Sequence, residues 1–115
     1  MVLTFEGTTQ TEVGNFYVDE HGVLIGLLVR KDEANNSFSV CLSGEVSLKL
    51  PFQCTHSAVH PFYFNNETGL ISLFTSTEDA TNNRPIGFLY GCELDEDGIL
   101  IPTQAGDFHR AFLRI

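Results

Sequence analysis

The chain has 115 residues, fifteen acidic against six basic, and a formal net charge of −9. That length allows one compact domain, and 43% hydrophobic with 18% charged residues excludes a disordered tail or a coiled coil. The acidic balance argues against nucleic acid and anionic membranes as partners, since both attract basic faces.

No apolar run approaches the roughly 20 residues needed to span a bilayer. The opening Met-Val-Leu-Thr-Phe-Glu carries no leader pattern. Three cysteines, Cys41, Cys54 and Cys92, are an odd number at unpatterned spacing and read as reduced thiols of a cytosolic setting. Without a secretion signal, the glycosylation patterns at Asn35 and Asn66 are discounted. Ten Phe residues suit a packed β core.

Residues 1–12 read as an N-terminal arm or an edge strand. Val2, Leu3, Thr4 and Phe5 are β-prone and are set off by the polar run 7–11. Such a segment either adds a strand to a partner's sheet or pairs within its own. Residues 13–115 read as a single β domain. Phe16-Tyr17-Val18 is a short strand, and Val23 to Arg30 a longer apolar one, favoured over a helix by its β-branched residues and flanking turns. Ser37 to Ser43 mostly alternates polar and apolar, with Cys41 the exception, and Glu45 to Leu50 alternates again. Gly44 between them marks a bend or bulge at which one strand changes sheets.

Phe62-Tyr63-Phe64, a polar turn ending in Gly69, and Leu70 to Phe74 give a hairpin signal. The polar stretch 76–81 carries the capping chemistry of one helical turn. Pro85 to Tyr90 is the next strand, Cys92 to Ile101 a further hairpin, and Asp107 to Ile115 a last strand of imperfect alternation carrying Phe108, Phe112, Leu113 and Ile115. Three segments share one plan of strand, acidic or amide turn, Gly and aliphatic strand: 16–25, 62–71 and, more loosely, 92–101. Ile25-Gly26-Leu27-Leu28 likewise echoes Ile86-Gly87-Phe88-Leu89. The turn glycines are expected at positive φ and the strand glycines where backbones approach closely. The fold class expected is therefore all-β: a small single-domain barrel or sandwich of short antiparallel strands, with at most one short helix.

Chemistry-bearing motifs are sparse. Cys54, His56 and His60 offer three zinc-type ligands, with His21 or His109 as a fourth, but lack the second close pair of a diagnostic site. A polar loop with two surface histidines is the better reading of the segment. Asp95-Glu96-Asp97-Gly98 begins like a calcium loop, but Ile99 to Pro102 supply no further oxygen ligands, which leaves an acidic hairpin turn. Cys41 reads as core, and Cys92, after Gly91 at a strand end, is open to exposure. No phosphate-cradling loop, nucleophile elbow or His-Glu-x-x-His is present. The expectation is a binding or scaffolding module, not an enzyme, with no cofactor and no resident metal. The runner-up is a small cupin-like β-barrel binding a metal or ligand, and a third reading is an acidic adaptor or inhibitor of a basic protein.

In order, the segments are an aliphatic run Val23 to Leu28 around Gly26, acidic Asp32-Glu33, and Phe38 to Leu50 with central Gly44 and closing Pro51. Pro61-Phe62-Tyr63-Phe64, Thr75-Ser76-Thr77, Asn83-Arg84-Pro85-Ile86-Gly87 and Ala111 to Ile115 follow. This succession, over about residues 13 to 115, resembles the small capsid cement or head decoration proteins of tailed bacteriophages. The chain departs from their usual look in being richer in Phe and Cys and poorer in Ala, and the Cys54 to His60 segment has no counterpart there. The resemblance implies an all-β domain that forms a homotrimer on the capsid exterior of the virion after synthesis in the host cytoplasm. Its partner would be the major capsid protein, bridged at threefold or quasi-threefold positions, with no nucleic acid and no membrane involved. Val2, Leu3, Thr4 and Phe5 are the first candidates for the capsid contact, followed by the loops holding Asn35 and Asn36 and holding His56 and His60.

Overall fold

The computed structural model describes residues 1–73 and 84–115. The expected helical turn at 76–81 lies outside the described residues, and among those described there is no helix. The strands are β1 (Val2–Glu6), β2 (Phe16–Val18), β3 (Leu24–Asp32), β4 (Ser37–Cys41), β5 (Ser43–Lys49), β6 (His60–Asn65), β7 (Leu70–Ser72), β8 (Gly87–Leu89) and β9 (Phe108–Arg114). They form a four-stranded sheet in the order β1-β4-β3-β2 and a five-stranded sheet in the order β5-β9-β8-β6-β7. All the pairings are antiparallel, so the all-β class holds.

The two sheets face each other across the main core. Leu27 and Cys41 come from the first sheet; Leu48, Phe62, Ile71, Leu89, Ala111 and Leu113 come from the second. A smaller cluster of Leu28, Phe38 and Val40, joined by Phe5, Tyr17 and Ile25, occupies the opposite face of the first sheet. Successive strand residues point to opposite faces, so a sheet packed on both sides buries neighbours. That explains Val40 and Cys41, consecutive and both buried: Val40 serves the small cluster and Cys41 the main core. Phe5, Tyr17 and Phe38 close the small cluster with ring centroids 5.1–5.9 Å apart.

The expected change of sheet occurs between Cys41 and Ser43, at Leu42, two residues ahead of the expected Gly44. The N-terminal segment is an edge strand of its own sheet: Leu3 lies opposite Val40 and Phe5 opposite Phe38. The last strand is more regular than the imperfect alternation of its sequence. β9 alternates strictly, with His109, Ala111 and Leu113 inward, so Phe108 and Phe112 face out. A period of two puts Phe108 and Phe112 on the face opposite Leu113.

The hairpin resemblance is physical for two copies. At 19–23, the Asp19 carboxylate accepts the His21 and Val23 amides, both at 2.9 Å, and the Asp19 carbonyl accepts the Gly22 amide. At 95–99, Asp95 accepts the Asp97 and Ile99 amides, again at 2.9 Å, and the Gly98 amide. Gly22 and Gly98 share φ of 78°. Asp serves because its short side-chain oxygen reaches both amides, and Gly because the closing residue is left-handed. The 62–71 copy is one residue longer in its turn, with Asn65 in the aspartate's place. Outside its turn, the 92–101 copy is held by the Leu94–Leu100 bridge and the bond from the Ile101 amide to the Glu93 carbonyl, rather than by strands.

The strand glycines meet the expected close approach: a Cβ on Gly26 would lie 2.5 Å from the Cys41 carbonyl oxygen, and one on Gly87 would strike the Phe112 carbonyl and the Phe62 ring. Gly87→Ala is therefore expected to cost about 1–3 kcal/mol by overpacking. Gly98→Ala has open space around its Cβ and should cost only the left-handed strain of about 1–2 kcal/mol. Urea unfolding of both variants checks the difference. Equal and negligible losses would show that neither backbone constraint holds.

Candidate functional site

The candidates taken from the sequence fall in three separate places. Val2, Leu3 and Thr4 are exposed and Phe5 is half-buried. The inner edge of β1 is tied to β4, and a Thr4–Ser39 hydroxyl pair at 3.1 Å reinforces the ladder. Its outer edge has no strand neighbour among the described residues. An exposed edge with apolar side chains is a template for strand addition.

Asn35 and Asn36 are largely explained by the turn that they make. The Asp32 carboxylate accepts the Asn35 amide at 3.2 Å and its side-chain NH₂ at 2.8 Å. Asn36 sits at φ 51°, a left-handed position that Asn tolerates better than most residues. The loop is exposed, but its amides are spent on closing β3 onto β4.

His56 is exposed and His60 half-buried, with their rings stacked 5.1 Å apart. Of the zinc-type set read from the sequence, Cys54 and His109 come together, while His56, His60 and His21 do not join them. The Cys54 side chain is buried in the core, and its near neighbours are Cys92 and His109. The three potential ligand atoms lie within 4.8 Å of one another. Cys92 is buried as well, against the expectation of exposure at a strand end. Its thiol donates to the Cys54 carbonyl at 3.3 Å and lies 3.6 Å from the Cys54 sulfur. Burial pushes the Cys54 thiol up, and the Cys92 thiol adds to this, against a lowering hydrogen bond from the His56 backbone. His109 is held at both nitrogens: Nδ1 lies 2.7 Å from the Thr103 hydroxyl and Nε2 2.6 Å from the Tyr90 carbonyl. The sequence offered His109 to Cys54 only as one alternative fourth ligand and missed Cys92, because β topology, not proximity along the chain, assembles the cluster.

The other feature missed is a basic aromatic face. The outward row of the five-stranded sheet pairs Phe88 with Phe112, and Phe112 with Glu45. Phe88 and Phe112 are 40% and 41% exposed. Arg110 reaches across to Glu45 and lies over the Tyr90 ring; the Glu45 carboxylate raises its pKa. At the end of this face a cleft of about 380 Å³ is lined by Arg84, Phe88, Arg114 and Ile115. Arg84 and Arg114 meet no carboxylate among the described residues. Thus four of the six cations (Lys49, Arg84, Arg110, Arg114) belong to this sheet or the segment leading into it. Its signal in the sequence was the placing of Arg110, Phe112 and Arg114 at every second position of the last strand, whose alternation in burial the structure makes strict.

No protein-family model matches the chain, and no curated protein or solved structure matches it.

The Asp32–Asn35 bonds give a pH prediction. The Asn35 side chain, followed by its backbone amide, holds the Asp32 carboxyl below its usual value. A depressed folded-state pKa contributes stability above the unfolded pKa of about 4, and that stability is lost as pH falls through the folded value. Asp32→Asn should therefore lower the melting temperature near neutrality and narrow the gap to wild type in acid. Parallel melting curves for the two proteins that stay equally spaced at every pH would refute it.

Proposed function

We propose that this chain is a capsid decoration protein, without catalytic activity, that binds the outer surface of a tailed-phage head. In this reading it acts as a homotrimer and stabilises contacts between major capsid subunits. The succession of β segments supports the class. The observation that carries the trimer is a pair of unlike patches on one small domain. A cyclic trimer is a head-to-tail ring, so each copy needs two different surfaces that fit each other. The cleft at Arg84, Phe88 and Arg114 is basic and apolar. The 94–101 hairpin is its opposite: Leu94, Ile99 and Ile101 are exposed beside Glu96 and Asp97 at the turn. Seating this hairpin in the cleft of the next copy pairs acid with base and covers apolar groups on both sides. The free edge of β1 then remains for the shell, where strand addition to a capsid subunit uses its open backbone groups. Three such footprints on one trimer multiply weak contacts into tight binding of the assembled lattice.

Light scattering on the purified chain should give a mass near three times 12.8 kDa, falling as salt screens the pairing. Arg114→Glu should weaken the trimer by roughly tenfold or more, about 1.4 kcal/mol per factor of ten, with little change in monomer stability. Combining it with Glu96→Arg should recover part of the loss. Expanded heads of the parent phage should take up the wild-type chain at threefold positions in electron micrographs. A chain that stays monomeric and leaves such heads bare would overturn the reading.

A further inference from the structure

We propose that Cys54, Cys92 and His109 form a binding site for one thiophilic d¹⁰ metal ion, zinc in the first place, whose open position faces the cleft beside Cys92 and Thr103. Three chain-distant segments supply the donors: the β5–β6 connection, the stretch after β8, and the inward face of β9. All three residues are buried. Tetrahedral zinc with sulfur at about 2.3 Å places two thiolates about 3.8 Å apart, and the two sulfurs already stand 3.6 Å apart. A sulfur pair at that spacing is at the edge of a coordination tetrahedron, well beyond the S–S bond of about 2.05 Å in a disulfide.

The imidazole is set for ligation by its outer partner. The Tyr90 carbonyl has no proton, so His109 Nε2 must donate the 2.6 Å hydrogen bond. In the neutral ring that leaves the lone pair on Nδ1, which now accepts from the Thr103 hydroxyl. A ring nitrogen donating to a backbone carbonyl while the other ligates is the usual way in which proteins orient a metal-bound histidine. Thr103 is itself fixed beside the site, because its backbone exchanges two hydrogen bonds with Cys54, at 2.9 and 3.1 Å. On metal entry its hydroxyl turns from Nδ1 to a water in the fourth position.

The charge count favours the same ion. Zn²⁺ displaces the two thiol protons to solvent, and two thiolates with one neutral imidazole leave a centre of zero net charge. A neutral centre avoids the large cost of an uncompensated charge in a core. Two sulfurs and one nitrogen select zinc-like ions over magnesium or calcium, which need oxygen ligands. A cleft of about 230 Å³, lined by Cys92, Thr103 and His109 but not by Cys54, lies beside the donor set between Tyr90 and Pro102. Bound there, the ion would tie the 92–103 segment and the 54 loop to β9.

The test uses the full chain, purified under reducing conditions without chelator. Elemental analysis should find about one zinc per chain. After the metal is stripped, added cobalt(II) should give thiolate-to-metal charge-transfer bands and intense tetrahedral visible bands that saturate at one equivalent. Cys92→Ser should weaken cobalt binding at least about a hundredfold and diminish the charge-transfer band, while His56→Ala with His60→Ala should leave both unchanged. X-ray absorption at the zinc edge of the wild-type chain gives a readout that needs no variant: sulfur and nitrogen scatterers together in the first shell. A stripped chain that gives no charge-transfer band with cobalt, or a zinc shell of nitrogen and oxygen alone, would overturn the proposal. So would binding that survives Cys92→Ser and disappears with the two histidines.

Discussion

Leu42 joins the two sheets through one peptide-linked residue. Its amide donates to the Met1 carbonyl at 2.8 Å, on the side of the four-stranded sheet. Its carbonyl accepts from the Ile115 amide at 3.0 Å, on the side of the five-stranded sheet. A chain leaving one sheet for another must satisfy its backbone groups at the crossing or leave them buried and unpaired. Here both are satisfied, one by each sheet, so β4 and β5 continue one run of chain while facing different partners. The long β5–β9 ladder, from Ser43–Arg114 to Lys49–Phe108, starts at that crossing. The inward placement of His109, and the outward placement of Phe112, follow from its register.

Local chemistry was the legible part of the fold. Asp19 with Gly22 and Asp95 with Gly98 make the same turn because the same short carboxylate and the same left-handed residue stand at the same offsets. Gly26 and Gly87 were legible for a similar reason: each interrupts an aliphatic strand where a side chain has no room. The faces of the strands were less so. At Val40-Cys41 two adjacent apolar residues signal a sheet buried on both sides, but the same pattern fits a bulge or a strand end. At Phe108 and Phe112 the imperfect alternation of the sequence left the faces open, and pairing with β5 and β8 fixes them outward.

The candidate sites divide along the same line. The close spacing of Cys54, His56 and His60 suggested a shared ligand, yet the chain turns between them so that Cys54 packs inward while His56 stays in solvent. Its actual companions, Cys92 and His109, are 38 and 55 positions away. They meet it through the bond from the Cys92 amide to the His56 carbonyl, the Cys54–Thr103 bridge and the inward phase of β9. No spacing rule reports such a meeting. Asn35 and Asn36 show the reverse case, in which conspicuous exposed amides have a sufficient local cause in the turn they close.

The proposed ion and the proposed trimer share β9, and this links them physically. Inward His109 and outward Arg110 are neighbours on one rigid strand, and Tyr90 touches both: its carbonyl accepts from His109 while its ring lies under Arg110. Anything that fixes His109 and Cys92 therefore also fixes the position of β9 against the segment that leads from β8 to the acidic hairpin. That hairpin is the half of the proposed copy-to-copy contact with fewer backbone ties: among the described residues, beyond its turn, it has the Leu94–Leu100 bridge and the bond from the Ile101 amide to the Glu93 carbonyl, with Leu100 packed on the main core. A ring of three copies demands that hairpin and cleft stand at one set angle, because a heterologous contact closes only at the correct rotation. Free hinging at the base of the hairpin would spread that angle and favour open chains over closed rings. An ion bridging Cys92 at the hairpin's base to Cys54 and His109 would remove that freedom without adding any contact at the interface itself.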